Sequence, residues 1–123
     1  MASQRTVLIA DDHDDTREML AALLGAAYHV VQAANGLQAI EIARRDNPSV
    51  ILMDIAMPVM DGLTASKFLR ANPALQWIPI IAHTAQPSLL AAEQLLFFAV
   101  LQKPIDYQKL LRLIRVATQR QMD

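Results

Sequence analysis

Residues 50–62 read VILMDIAMPVMDG, and this stretch indicates how the chain folds. Its first four residues form a continuous apolar run, which is typical of a strand buried on both faces of a parallel sheet. Asp54 ends the run, and a Met-Pro turn shapes the loop beside it. Asp61 and Gly62 then begin a helix through Ala71, with the aspartate as its cap. The stretch therefore predicts a strand, a loop that carries an aspartate, and a helix.

The same alternation of short apolar runs and helical spacing extends over the rest of the chain. The predicted strands cover residues 7–10, 29–33, 50–53, 78–82 and 99–101. The first, third and fourth predicted helices cover residues 16–24, 62–71 and 87–98. The second begins at an Asn35 cap, with Gln38 as its reciprocal partner, and runs through Arg45. The fifth begins at an Asp106 cap and runs toward Arg120. Right-handed crossovers then give a (βα)5 α/β fold, which is a doubly wound, five-stranded parallel sheet.

The first helix is predicted to bury one apolar face and to end at a glycine. Met19, Leu20, Leu23 and Leu24 share that face, and Gly25 follows as a left-handed stop.

Composition limits what the chain can be. It has 123 residues, of which 54% are hydrophobic and 19% charged, so residues 1–123 are expected to form a single domain that leaves no room for an effector domain. The net charge of -1 and the scattered arginines, including Arg44 and Arg45, favour no nucleic-acid partner. The lack of cysteine excludes a disulfide scaffold and thiolate chemistry. The N-terminus lacks an apolar signal core and no run is long enough to span a membrane, so we expect a cytoplasmic protein.

Polar side chains stand where ligands bind in such sheets, beyond the carboxyl ends of the strands. Asp11 and Asp12 follow the first strand, Asp54 the third, Thr84 the fourth and Lys103 the fifth. Carboxylates packed together repel one another, and Mg²⁺ with its preference for oxygen ligands best offsets that repulsion. The lysine and the hydroxyl suit a phosphoryl group.

These strings resemble the response-regulator receiver domains of two-component signalling, which have a flavodoxin-like fold. The matching strings are VLIADD at 7–12, MDIAMPVMDG at 53–62, PIIAHTA at 79–85 and KPID at 103–106. The resemblance implies that Asp54 is the phosphoacceptor and that Asp12, Asp54 and the carbonyl of Ala56 bind Mg²⁺, with Asp11 helping through water. It also implies that Lys103 pairs with the phosphoryl oxygens and Thr84 hydrogen-bonds to them. Ala56 and Ala85 would line the phosphoryl pocket, and Ala56 and Gln86 would flank the hydrolytic water.

The function implied is a switch rather than an enzyme. A sensor histidine kinase or a phosphotransfer protein would phosphorylate Asp54, and the surface of the fourth helix, fifth strand and fifth helix would then bind a downstream protein. A receiver that acts as an interaction or dimerisation module without phosphorylation is the alternative. A haloacid-dehalogenase-type hydrolase would need an aspartate where Ala56 stands. A calcium loop over residues 11–18 would need a glycine, and His13 and His83 are interpreted as ordinary polar residues.

The chain departs from the family pattern around its fourth helix. The interval from Thr84 to Lys103 is shorter than usual by about one helical turn, roughly three to four residues, so this helix must be short, displaced or irregular. Val100 stands where the family often has a switching aromatic. At 100° per residue, Leu90 and Phe97 would face water, and together with Val100 they would form a docking face for a target or a second copy, unless the altered helix buries them.

Overall fold

The computed structural model describes residues 4–119, and its elements alternate as the sequence predicts. The strands are β1 (Thr6–Ala10), β2 (His29–Ala33), β3 (Val50–Asp54), β4 (Ile80–Thr84) and β5 (Ala99–Gln102). The helices are α1 (Asp14–Leu24), α2 (Gly36–Asp46), α3 (Gly62–Ala71) and α4 (Tyr107–Gln119), and a 3₁₀ segment (Pro87–Leu96) takes the place of the fourth helix. All four strand pairs are parallel, in the order β2-β1-β3-β4-β5. The prediction of a doubly wound sheet with an irregular fourth helix is confirmed.

Two apolar cores lie on opposite faces of the sheet. Alternate residues of β1 divide between them: Leu8 packs on the side of α2 and α3, whereas Val7 and Ile9 pack on the side of α1 and α4. Residues of β3 divide in the same way, with Ile51 on the first side and Leu52 on the second. The strands appear as unbroken apolar runs because both faces of the sheet are covered.

Strand β4 begins two residues later than predicted. Pro79 has no backbone N–H to give, and its carbonyl accepts the first bond of the ladder, from Ile51. The carbonyl of Ile78 is already bound by the Arg70 side chain at 2.7 Å. The ladder therefore starts after the proline and runs through His83 and Thr84, although both of these residues are polar.

The prediction for the buried face and the stop of α1 is partly wrong. Leu20 and Leu24 are buried, but Met19 and Leu23 are 47% and 41% exposed, because the helix packs along a narrow stripe against the sheet. Gly25 is right-handed at φ -65° rather than left-handed. The chain leaves the helix through a turn in which the Leu24 carbonyl accepts two N–H groups, so a positive φ is not needed there.

The caps of the other helices agree with the sequence prediction. The Asn35 side chain accepts the Gln38 N–H at 2.9 Å, and the Asp61 side chain accepts the Thr64 N–H at 2.7 Å. A left-handed Asn47 at φ 49° ends α2. The Asp106 cap of α4 is present at 3.2 Å, and the predicted end at Arg120 lies outside the described residues.

The 3₁₀ segment overturns the predicted exposed face. Leu90 is only 2% exposed, Phe97 packs against the core on the α3 side, and Val100 is half-buried within β5. A 3₁₀ helix has three residues per turn, so residues three apart share a face. The inward row is Pro87, Leu90, Glu93 and Leu96, and every residue between these positions is exposed. The assumed 100° per residue was wrong for this segment, and Leu90, Phe97 and Val100 do not form an exposed docking face.

Within residues 4–119, no helix combines the length and the apolar character that a membrane span requires.

Candidate functional site

Three carboxylates meet at the carboxyl edge of the sheet. Asp54 is the last residue of β3 and is 1% exposed, while Asp11 follows β1 and is 2% exposed. The side chain of Asp12 is partly open to solvent. Strands β1 and β3 are neighbours with Ala10 opposite Met53, so the residues that follow them end up side by side. The predicted convergence is therefore confirmed for these three aspartates.

The loop after β1 is fixed by local hydrogen bonds. Asp11 Oδ1 accepts the backbone N–H of His13 at 2.8 Å. The Arg17 side chain donates to the backbone carbonyl of Asp11 at 2.7 Å, to Gln32 and to Asp14. This arginine ties α1 to the loop, so it positions the two carboxylates that the loop carries.

Lys103 reaches the site from the far side. Its Nζ atom lies 3.0 Å from Asp54 Oδ1, and its backbone N–H donates to the Thr84 carbonyl at 2.8 Å. A cis peptide bond joins Lys103 to Pro104. Lys103, which follows β5, and Asp54, which ends β3, thus form an ion pair at the carboxyl edge of the sheet.

The Asp54 carboxylate is short of hydrogen bonds. Among residues 4–119, the Lys103 ammonium is the one close side-chain partner of its two buried oxygens, and Oδ2 lacks a well-formed hydrogen bond. The buried Oδ1 atom of Asp12 lacks one as well. Burial raises the pKa of Asp54 above the ordinary aspartate value, the charge of Asp11 acts in the same direction, and the Lys103 ammonium only partly counters them. Buried charged oxygens without partners are costly, and a cation or a covalently added group would relieve that cost.

The donor set fits a divalent cation. One ligand atom each from Asp11, Asp12, His13 and Asp54 lies within 4.8 Å of the others. Carboxylate oxygens are the ligands that Mg²⁺ prefers, and the buried oxygens of Asp54 and Asp12 have lone pairs that well-formed hydrogen bonds do not use. His13, which the sequence analysis treated as an ordinary polar residue, belongs to this group: its Nδ1 lies 3.1 Å from Asp11 and 3.2 Å from Asp12. Its place directly after two aspartates at a strand end is the signal that could have indicated it.

The remaining predicted residues frame the pocket. The Thr84 hydroxyl oxygen accepts the Gln86 backbone N–H at 3.1 Å, at the start of the loop after β4. Ala56 and Ala85 are exposed and have the smallest side chains that a non-glycine residue can have. These two positions therefore leave open space beside Asp54 and Thr84.

His83 is a buried residue of the site that the sequence analysis missed. It pairs with Asp54 across the β3–β4 ladder. Burial, aided by the Lys103 charge, lowers the pKa of His83 to about 4. With Lys103 and Asp11 it lines a cavity of about 310 Å³ between α1 and the loop after β5. His83 directly follows an apolar run, and the sequence alone does not indicate whether a histidine in that place is buried or exposed.

The sheet order and the acidic pocket place the chain in the flavodoxin-like class of doubly wound α/β domains. A family model described as the response regulator receiver domain matches residues 7–115. The chain therefore belongs to the response regulator receiver family.

Among curated relatives, the polar-differentiation response regulator DivK of Brucella anthropi is 37% identical over 82 residues, which cover 66% of this chain and 67% of that protein. A response regulator structure from Chloroflexus aurantiacus superposes with a TM-score of 0.85 at 31% identity, covering 95% of this chain and 99% of that one. The receiver domain of the sensor histidine kinase PA1611 from Pseudomonas aeruginosa superposes with a TM-score of 0.84 at 30% identity, with the same coverage, and carries a magnesium ion in its active site cleft.

Proposed function

We propose that this receiver domain is a phosphorylation-controlled switch whose phosphoacceptor is Asp54. The observation that carries the proposal is the state of this carboxylate: both of its oxygens are buried at the carboxyl edge of the sheet, and the one close side-chain partner among the described residues is the Lys103 ammonium, 3.0 Å from Oδ1. An acid that only stabilised the fold would be expected to have its oxygens paired. The Asp54 carboxylate instead has oxygen lone pairs that are free to bind a metal ion or to attack a phosphorus atom.

Phosphorylation converts Asp54 to an acyl phosphate. One of its oxygens attacks the phosphorus of a phosphohistidine on a sensor kinase or a phosphotransfer protein. The bond between phosphorus and the imidazole nitrogen breaks, and the nitrogen leaves with the electron pair. The Lys103 ammonium beside Oδ1 can accompany the incoming phosphoryl oxygens and reduce the charge repulsion that opposes attack.

Asp11, Asp12, Asp54 and the backbone carbonyl of Ala56 would hold Mg²⁺, as the donor set described above allows. When bound, the ion neutralises charge on the transferring phosphoryl oxygens. Arg17 positions the Asp11–Asp12 loop for this task through the Asp11 carbonyl.

Lys103 and Thr84 hold the transferred group. The lysine is already beside Asp54 Oδ1 and can follow a phosphoryl oxygen. The Thr84 hydroxyl accepts a bond from Gln86 and so keeps its own proton to donate to a second phosphoryl oxygen. Ala56 and Ala85 leave room for the group, and Ala56 and Gln86 flank the path of the water that later breaks the bond between phosphorus and the Asp54 oxygen.

The phosphodonor docks beside α1. Met19 and Leu23 are exposed on this helix, and Met19 also lines the 310 Å³ cavity that leads to Asp11 and Lys103. Pro104 and Ile105 line the same cavity. Apolar side chains around a charged pocket suit a helical donor that must bring its histidine to Asp54. Such a donor would act with this chain in the cytoplasm.

The loop after β4 would transmit phosphorylation of Asp54 to the surface that binds a downstream partner. Movement of Thr84 toward the phosphoryl group shifts Gln86 and with it the start of the 3₁₀ segment at Pro87, so the surface of this segment, β5 and α4 changes for a downstream protein partner.

A module that binds partners without phosphorylation is the second candidate. Val100, in place of an aromatic, and the 3₁₀ segment favour it, because both alter the part of the fold that would respond to phosphorylation.

The intact mass after incubation with acetyl phosphate tests the proposal. One phosphoryl group is expected on the wild type with Mg²⁺, but not with chelator and not on Asp54→Asn. Asp15→Asn, at an exposed acid in the first turn of α1, is the matched control and should be phosphorylated as the wild type is. If neither acetyl phosphate nor beryllofluoride with Mg²⁺ modifies or binds the protein, the second candidate replaces the first.

A further inference from the structure

A second cavity lies at the opposite edge of the sheet from the acidic pocket. It has a volume of about 580 Å³, within the range of ligand and peptide sites. Its walls come from the end of α3, the loop before β4, the end of the 3₁₀ segment and the end of α4. Its lining includes Arg70, Gln76, Trp77, Leu95 and Phe97, and we call this cavity the Arg70 groove.

The guanidinium group of Arg70 is held rigidly in this groove. Its Nε atom donates to the Leu96 carbonyl at 2.9 Å, and its Nη1 atom donates to the carbonyls of Gln76 and Ile78 at 2.8 and 2.7 Å. Within residues 4–119, Nη2 has no hydrogen-bond acceptor and no carboxylate pairs with the side chain. Burial, with no contribution from a neighbouring acid, lowers the pKa of Arg70. A half-buried cation is thus fixed in place with one donor nitrogen unused.

Apolar side chains surround this cation. Trp77 is 46% exposed, and its indole N–H donates to the Ala74 carbonyl at 2.9 Å, which fixes the ring. Leu95 is fully exposed, because the inward row of the 3₁₀ segment excludes it. Phe97 is half-buried at the base. An aromatic ring held by a hydrogen bond, an exposed leucine and a half-buried phenylalanine thus surround the cation, which is a composition typical of the centre of a binding site.

We propose that the Arg70 groove docks a segment of a partner protein that presents a carboxylate next to an aromatic or aliphatic side chain. The carboxylate accepts from Arg70 Nη2, and the neighbouring side chain packs between Trp77, Leu95 and Phe97. Charge complementarity selects this occupant, since the half-buried cation lacks an acidic partner among the described residues and a carboxylate accepts a stronger hydrogen bond from a guanidinium than a neutral group does. The fixed guanidinium also reduces the entropy lost on binding.

This site is separate from the proposed phosphorylation of Asp54. Pro79 and Phe97 precede β4 and β5, whereas Asp54 and Thr84 end their strands, so the two sites lie at opposite edges of the sheet. Binding to the groove is therefore measured on the unphosphorylated protein, and its result does not depend on whether Asp54 accepts a phosphoryl group.

The fluorescence of Trp77, the one tryptophan of the sequence, reports on the groove directly. The probes are the capped peptides acetyl-Phe-Asp-Leu-amide and acetyl-Phe-Asn-Leu-amide, which differ only in the carboxylate. We expect the acidic peptide to bind about tenfold more tightly at low salt, as one charge-assisted hydrogen bond allows, and less so at high salt. Equal affinities, or no response of Trp77 to either peptide at millimolar concentration, would overturn the proposal.

Two glutamate variants of the 3₁₀ segment separate the groove from its surroundings. Leu95→Glu adds a competing negative charge at the rim and should weaken the acidic peptide by about tenfold. Leu89→Glu changes an exposed residue of the same segment that does not line the groove, and should leave binding unchanged. Both positions are exposed, so both variants should fold. Equal weakening by the two variants would contradict docking in the groove.

Sedimentation of the free protein tests whether a second copy of this chain, and not an acidic partner, occupies the groove. A dimer that Leu95→Glu dissociates and Leu89→Glu does not would show that a second copy fills the groove, and the acidic partner would be wrong. A monomer together with the peptide preference described above supports the proposal.

Discussion

Asp54 is kept charged in a place that does not favour charge. Its burial and the nearby Asp11 raise its pKa, so at neutral pH the folded chain carries an ionised group that the unfolded chain would solvate better. Because the folded pKa lies above the unfolded value, the contribution of Asp54 to stability is fully present below the unfolded value and is lost as pH rises through the folded value. The Asp54 carboxylate therefore destabilises the metal-free fold at pH 7.

Replacing this charge should stabilise the metal-free protein. We expect Asp54→Asn to raise the free energy of unfolding at pH 7 by about 1–2 kcal/mol, because it removes a buried charge whose desolvation the Lys103 ammonium only partly offsets, at nearly constant shape. Mg²⁺ should raise the melting temperature of the wild type more than that of the variant. Urea unfolding and thermal melts measure both effects, with Asp15→Asn as the control. A less stable variant would show that the carboxylate is better paired than described here.

His83 gives the stability a second pH dependence. The unfolded chain takes up a proton at the ordinary histidine pKa of about 6.5, but the folded chain does so only near 4. Between these values the unfolded state binds more protons, so stability rises with pH. The contribution of His83 is complete above pH 6.5 and is lost as pH falls toward 4.

Comparison with His83→Leu isolates this effect. Relative to the variant, the wild type should lose up to roughly 3 kcal/mol of unfolding free energy between pH 6.5 and pH 4, from 1.36 kcal/mol per pKa unit. Urea unfolding at a series of pH values measures the difference, and an NMR titration of the His83 ring protons gives the pKa itself. An imidazole that titrates near 6.5 would contradict the buried state.

At the scale of elements, the β3–α3 unit depends on close backbone packing at Gly62. A side-chain carbon at this position would lie 2.1 Å from the backbone carbonyl oxygen of Asp54, far inside contact distance. The Gly62 N–H also donates to the Ile55 carbonyl at 2.9 Å, which closes the loop that carries Ala56. The start of α3 thus packs directly against the backbone of Asp54.

Gly62→Ala should therefore disturb both stability and site. We expect a loss of about 3 kcal/mol in unfolding free energy, at the upper end for an added methyl group, because the nearest neighbour, the Asp54 carbonyl oxygen, belongs to rigid backbone. Beryllofluoride binding should weaken as well, since the added methyl displaces Asp54. Urea unfolding and a beryllofluoride titration test the two parts. A loss below about 1 kcal/mol would show that the loop relaxes easily.

At the scale of the whole molecule, the 3₁₀ segment joins the two edges of the sheet. It begins at Pro87, three residues after Thr84 at the acidic edge, and ends at Leu96, whose carbonyl binds Arg70 at the opposite edge. Its hydrogen bonds have 3₁₀ geometry, six of its ten residues are exposed, and Glu93 leaves helical geometry at φ -113° and ψ 20°. A segment of this kind opens more easily than the strands beneath it.

Hydrogen exchange should show this difference. The backbone amides of residues 88–96 are expected to exchange at least about tenfold faster than those of β1 and β3, because the two strands are buried and central in the sheet. Beryllofluoride with Mg²⁺ should slow exchange in the segment if the loop after Thr84 closes over the site. Peptide-level mass spectrometry measures both. Exchange in the segment as slow as in β3 would contradict a mobile link.

The sequence by itself determined the sheet and the position of its acids. Apolar runs of four or five residues can be recognised locally, and the carboxyl ends of parallel strands must meet at one edge, so Asp11, Asp12, Asp54 and Lys103 converge whatever the details of packing. The caps at Asn35 and Asp61 were predictable for the same reason, because each of these bonds spans only three residues.

The tertiary structure alone decided what depends on distant neighbours. The exposure of Met19 and Leu23 depends on how α1 lies against the sheet, and the burial of Leu90 depends on a three-residue period that the apolar pattern did not reveal. Arg70 is fixed by carbonyls up to 26 residues away, which no local pattern encodes. Local chemistry sets which elements form, whereas burial and long-range hydrogen bonds depend on surfaces that exist only once those elements have packed together.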